Sequence, residues 1–216
     1  MPGLIAKYNE MVMVNKLKRT YSELANAIEL RKSELGTSDY VTQFDPNVYS
    51  TDEMMEGFTK YLNVLEYCSS DNYSGCSGFY EIKPAKRTND GFGNVAISSV
   101  WGARAILNDG TLIWMGKGSW ENNCEQTYAK YETDENGNYT NLVDGKPVPI
   151  YYTSIQCAEI FFDINGPYKG RNQFGHDCFS FSVAPEKLNQ HTGYGSLYDT
   201  MINGKLNYEK YSAGKY

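Results

Sequence analysis

From Leu4 onward, apolar side chains recur in steps of three, four or seven, at Tyr8, Met11, Val14, Leu17, Tyr21, Leu24, Ile28 and Leu35. That pattern draws one stripe down an α-helix. It constrains the fold more than any other feature, because such a helix would be about 50 Å long at ~1.5 Å per residue, more than a compact head of this size requires. Its end is well marked. Arg31 and Lys32 occupy the last turn, where cations suit the helix dipole, and Gly36 follows Leu35 as a residue able to adopt positive φ. Its start is not. Met1-Pro2-Gly3-Leu4-Ile5 places no Ser, Thr, Asp or Asn ahead of the first turn. The expectation is a spine helix that continues upstream or is shared with a partner.

The 216 residues suffice for one substantial domain, read as a spine over 1–36 and a globular head over 37–216. Ser50 and Glu53 have capping-box spacing. Met54, Phe58, Tyr61, Leu62 and Leu65 then share a helical face, which predicts a second helix running to about Cys68. Beyond it the texture changes to short apolar runs broken by turn dipeptides. Asn108-Asp109-Gly110 between residues 103–107 and 111–115 is a hairpin signal. Asn136-Gly137, Asp144-Gly145 and Asn203-Gly204 suggest turns of the same kind. Residues 155–164 and 178–183 read as strands flanking a long loop. The expected class is α+β, with a long N-terminal spine helix packed on an antiparallel β-sheet head and a second short helix.

A formal charge of -6 without any Lys/Arg-rich block argues against a nucleic-acid surface, since phosphate neutralisation needs clustered cations. No apolar run approaches the roughly 20 residues of a membrane span, and residues 1–13 lack a signal-peptide pattern. The cysteines point to export all the same. Cys68 and Cys76 bracket a polar, turn-forming loop in which a short disulfide is easy to close. A zinc site competes with that reading, but the chain has only two histidines, neither near this loop. Cys124, Cys157 and Cys178 remain, so at least one thiol is free or paired between chains. The 19 tyrosines, with many Gly, Asn and Ser, match secreted β-rich proteins.

The loop from Asp163 to Asp177 gathers side-chain oxygens of Asp163, Asn165, Asn172 and Asp177 in a glycine-rich turn. A hard cation such as Ca²⁺ seeks six to eight oxygens in a flexible loop. Equally, Asx side chains here can simply cap the turn backbone. The loop is not an EF-hand, having no Glu at the twelfth place, and residues 134–138 read as a hairpin turn. No nucleophile elbow, P-loop or HExxH pattern is present, so no enzyme is expected. His176 and Cys178 could face one side of a strand but lack an orienting third residue, and His191 reads as solvated. Trp101, Trp114 and Trp120 could form a binding platform, although Trp114 sits in a hairpin strand and reads as core.

Together these stretches carry a family resemblance. Residues 1–8, followed by Leu17-Lys18-Arg19-Thr20-Tyr21-Ser22-Glu23-Leu24-Ala25-Asn26-Ala27-Ile28, resemble the middle of the spine helix of bacterial type IV pilin-like and type II secretion pseudopilin-like proteins. Pro2 resembles the proline that follows the family's hydrophobic segment. Phe58 to Cys68 with Gly75-Cys76 is similar to the second helix and cysteine loop of one branch, and Phe162 to Gly166 with Lys169 to Asn172 and Gly175 to Phe181 resembles its aspartate-asparagine-glycine strand and loop. Arg171 stands where that loop commonly has proline, and Cys178 where it commonly has an aliphatic residue. The family's cleavage site, anchor and early glutamate are absent. The resemblance implies a structural subunit that anchors in the inner membrane through an upstream segment and then assembles with other pilin or pseudopilin subunits in a periplasmic or cell-surface filament. The alternative is an extracellular binding module, a tip-located minor pilin or adhesin, that recognises glycan or protein.

Overall fold

The structure, a computed structural model, describes residues 2–45, 47–72, 75–76, 80–85, 95–97, 102–117, 124–134, 137–190 and 196–210. Helix α1 spans Pro2–Leu35. Its end is a Schellman motif: Gly36 adopts φ 67°, its N–H donates to Ser33 O at 3.1 Å, and Thr37 N–H donates to Lys32 O at 3.3 Å. After a 3₁₀ turn at Thr42–Phe44, helix α2 spans Thr51–Thr59 and opens on a complete capping box. Ser50 Oγ accepts from Glu53 N–H at 3.2 Å, and Glu53 Oε2 accepts from Ser50 N–H at 2.8 Å.

The second helix is shorter than the sequence pattern predicts. It ends at Thr59, and Val64–Cys68 is a strand, β1. Asn108 N–H donates to Asn63 O at 2.9 Å, and β1 then pairs with β4 (Arg104–Leu107), so sheet pairing overrides the helical spacing. Leu65, placed by that spacing on a buried face, is exposed.

Strands β2 (Tyr80–Ile82) and β3 (Val95–Ile97) pair separately. Next come β5 (Leu112–Lys117), β6 (Glu125–Lys130), β7 (Leu142–Val143), β8 (Lys146–Pro147) and β9 (Ile150–Ile155). The chain continues through β10 (Ala158–Asp163), β11 (Cys178–Val183), β12 (Leu188–Gln190) and helix α3 (Leu197–Asn203). The main sheet has six strands in the order β1-β4-β5-β10-β11-β12, all neighbours antiparallel. The class is thus α+β, with a long N-terminal helix on an antiparallel sheet.

The expected continuous strand over 155–164 is two strands. Gln156 N–H donates to Cys124 O at 2.8 Å while Cys157 N–H donates to Val183 O at 2.7 Å, so the chain changes partners between these two residues. Of the turn dipeptides, Asp144-Gly145 joins β7 to β8 with both φ positive, at 50° and 72°, as a two-residue type I′ turn requires. Asn203-Gly204 makes no hairpin. Gly204, also at positive φ, caps α3 by donating its N–H to Thr200 O.

Alternation along the strands sorts the residues into two layers. Ala105, Ile113, Met115, Ile160, Phe162, Phe179, Phe181 and Val183 face α1 and α2, where they meet Leu17, Leu24, Ile28, Met54 and Phe58 in the main core. Tyr21 packs edge-on against Phe181 at 5.3 Å. On the other face Leu112, Trp114, Phe174 and Cys178 form a smaller cluster under Ile82. Trp114 is 2 % exposed and stacks on Phe161 at 5.3 Å, so it is core and not a platform. Trp101, Trp120 and His191 lie outside the described residues.

Candidate functional site

The apolar stripe predicted along α1 is in fact two stripes. Each step of three residues falls about 60° short of a full turn, so the run Tyr8-Met11-Val14-Leu17 swings roughly half-way round the helix. Val14, Leu17, Leu24, Ala27 and Ile28 are buried against the head. Leu4, Ile5, Tyr8, Met11 and Val12 are exposed, Leu4 at 76 % and Tyr8 at 60 %. These five fall within about 120° of one another and on the side away from the buried set. Glu10 fixes this half of the helix in rotation, its Oε1 accepting from Leu206 N–H at 3.0 Å. The outward stripe therefore cannot roll inward without breaking that bond.

The loop joining β10 to β11 starts and ends on a directly opposed pair, Asp163 and Cys178. Asp163 Oδ1 accepts from Asn165 N–H at 2.9 Å and Gly166 N–H at 3.0 Å. Asp177 Oδ1 accepts from Gln173 N–H at 2.7 Å, and its Oδ2 accepts from Arg171 N–H at 2.6 Å and Asn172 N–H at 3.2 Å. Asn172 Nδ2 donates to Pro167 O at 3.1 Å. The four residues singled out in sequence thus converge on one turn, where the two carboxylates cap backbone N–H groups. Among the described residues no group of three or more His, Cys, Asp or Glu side chains is arranged to hold a metal ion. Asn172 Oδ1 is buried without a hydrogen-bond partner, which leaves one amide oxygen uncommitted in the turn.

Burial pushes Asp163 up to about 8, helped by the charge of Asp177 and opposed by the N–H groups of Asn165 and Gly166. Burial would raise Asp177 too, but His176 and the N–H groups of Gln173 and Arg171 outweigh it and hold that carboxyl below its ordinary value. His176 Nδ1 lies 3.2 Å from Asp177 Oδ2. Cys178 is buried and unbonded to another cysteine, its Sγ 3.4 Å from Asp163 Oδ2. Burial and the two carboxylates raise its thiol well above the ordinary value. Thiol nucleophiles need the reverse, a depressed pKa and access.

Cys68 and Cys76 are bonded, and their loop is tied to the start of α2 by Ser70 N–H donating to Asp52 Oδ1 at 2.8 Å. The remaining cysteines resolve into a second disulfide, Cys124–Cys157, 33 positions apart, and the lone Cys178. The second disulfide closes the base of a ribbon in which β6 pairs with β9 and the β7–β8 hairpin lies beyond. Tyr131, Tyr139, Leu142, Val143, Tyr151, Tyr152 and Ile155 are all exposed there, Tyr151 at 68 %. Sequence reasoning missed this ribbon. Its signal was the pair of turn dipeptides between Cys124 and Cys157. Asp144-Gly145 makes its turn, whereas Asn136 lies outside the described residues, and the pairing of β6 with β9 places Cys124 opposite Gln156, next to Cys157.

No helix among the described residues is long and apolar enough to cross a membrane. Comparison of the chain with models of protein families, with curated proteins and with solved structures finds no match.

Proposed function

We propose that this chain is a structural subunit of a bacterial type IV pilus or type II secretion pseudopilus, exported and working by assembly into a filament without catalysis. The observation that carries this reading is the outward stripe of Leu4, Ile5, Tyr8, Met11 and Val12 on a helix held in register by Glu10. Each such side chain gains about 1.5–3 kcal/mol when fully buried, and neighbouring subunits are what would bury them. A photo-crosslinking amino acid in place of Tyr8, in the cell that makes the protein, should give a ladder at successive multiples of the subunit mass. Monomer alone, or a single closed dimer, would refute it.

Calcium belongs to this proposal as a stabiliser of the β10–β11 turn, supported by the uncommitted Asn172 Oδ1. Asp163, Asn165, Asn172 and Asp177 would be its protein ligands, with Asp177 first giving up backbone N–H partners. Binding to the folded state alone adds RT ln(1 + [L]/Kd) of stability. A melting temperature that climbs with millimolar Ca²⁺ supports the site, and a flat response removes it.

A second reading, an extracellular module recognising glycan or protein, is favoured by one observation, the solvent-facing tyrosines of the ribbon between Cys124 and Cys157. A tip subunit could combine both roles.

A further inference from the structure

We propose that the ribbon closed by Cys124–Cys157 docks across the outward stripe of α1 on a second copy of this chain. The inference rests on the filament reading and names the surface that covers the stripe. On β9, Tyr151, Thr153 and Ile155 share one face by strand alternation. Opposite Tyr151 and Thr153 stand the small side chains of Ala129 and Thr127, so this face is a shelf with large groups along one strand. A two-stranded ribbon is marginal in water on its own, and no other described element packs on this one beyond slight contact. The ribbon is about 20 Å long at ~3.3 Å per residue, and the stripe from Leu4 to Val12 is about 12 Å at ~1.5 Å per residue, so one spans the other.

Charge favours the helix over a neutral glycan as occupant. Residues 124–157 hold five acidic side chains, Glu125, Glu132, Asp134, Glu135 and Asp144, against Lys130 and Lys146, a net of -3. Residues 1–20 hold four basic ones, Lys7, Lys16, Lys18 and Arg19, against Glu10, a net of +3. Lys16 and Arg19 already meet Asp109 and Glu23. Lys7 and Lys18 border the same edge of the stripe and make no ion pair among the described residues. Opposed fields of this kind set orientation and reject wrong partners. Because ribbon and stripe are different patches, the contact is heterologous, and repeated without closure it generates a filament.

The test places a photo-crosslinking amino acid at Tyr151 of the full chain, in the cell that makes it, with two differently tagged copies co-expressed and the captured peptides mapped. The expected result is attachment to residues 4–19 of the other copy. Lys7→Glu with Lys18→Glu should abolish that crosslink, and adding Glu132→Lys with Asp134→Lys should restore it. Retention of the Cys124–Cys157 bond on a non-reducing gel is the folding control. If Tyr151 captures a glycan, another region or nothing while the Tyr8 probe still gives its ladder, the ribbon proposal falls and the filament reading stands. If Tyr8 gives no ladder, both fall.

Discussion

Asp163 and Asp177 sit at the two ends of one turn and shift in opposite directions. Burial and the charge of Asp177 raise Asp163 beyond what its two N–H donors and a thiol offset, whereas burial of Asp177 is outweighed by a histidine and backbone N–H donors. Glu159 joins Asp163 on the raised side, pushed to about 7 by burial against the opposition of Ser180 and Gln156. For both raised groups the unfolded chain releases its proton near pH 4 while the folded chain keeps it until about 7 or 8. Stability from this source is therefore complete below about pH 4 and falls as pH rises to about 8. The melting temperature should climb on acidification from pH 8 to pH 5. Glu159→Gln keeps the acceptor for Ser180 Oγ, now at 3.0 Å, and should raise the melting temperature at pH 8 by about 2–4 °C per kcal/mol recovered. A slope unchanged by that substitution would contradict the assignment. Gly170 offers a steric check on the same turn. It holds φ 90°, and a Cβ there would strike the Asp177 carboxylate, so Gly170→Ala should lose more than about 1 kcal/mol in a denaturant titration. That these Asx residues would converge was legible from their spacing. That their oxygens could cap the turn backbone was one of the two readings open in sequence, but which N–H groups each carboxylate takes was not legible, because those of residues 171–173 reach Asp177 only once the loop has folded.

Among elements, those with strong local signals lie where the sequence puts them. Gly36 ends α1, Ser50 opens α2, and Asn108-Asp109-Gly110 turns β4 into β5. The failures are elements decided at long range. Residues 61–65 fit a helical face and yet lead into a strand, because the chain beside Asn108 offers a partner. The ribbon was hidden for a similar reason, since both faces of β9 are exposed and it lacks the one-sided burial that marks a sheet strand. Its disulfide makes a testable claim. A loop closed by cysteines 33 positions apart should gain about 4 kcal/mol from chain entropy, against about 2.5 kcal/mol for the Cys68–Cys76 loop at a separation of 8. Cys124→Ser with Cys157→Ser should expose the amides of β6 and β9 to rapid hydrogen exchange while those of β10 and β11 stay protected. Equal protection in both variant and parent would show that the ribbon is held by something else.

At the scale of the whole molecule, the unusual feature is a helix that does two jobs on opposite sides. Its head-facing residues, from Leu17 to Ile28, supply one wall of the main core, whereas Leu4, Ile5, Tyr8, Met11 and Val12 present apolar surface outward. The pattern of period three to four made the helix certain but concealed the change of side, since successive steps of three turn the stripe gradually from one face to the other. An α+β head on a long helix was thus readable from sequence, and the division of that helix was not. Assembly through the outward face is the central claim, and electron microscopy of the producing cells, with this chain marked by immunogold, tests it most directly. Tyr8→Asp with Val12→Asp leaves the buried face untouched, so the head should fold while labelled filaments vanish; labelled filaments at the parent's abundance would contradict the account.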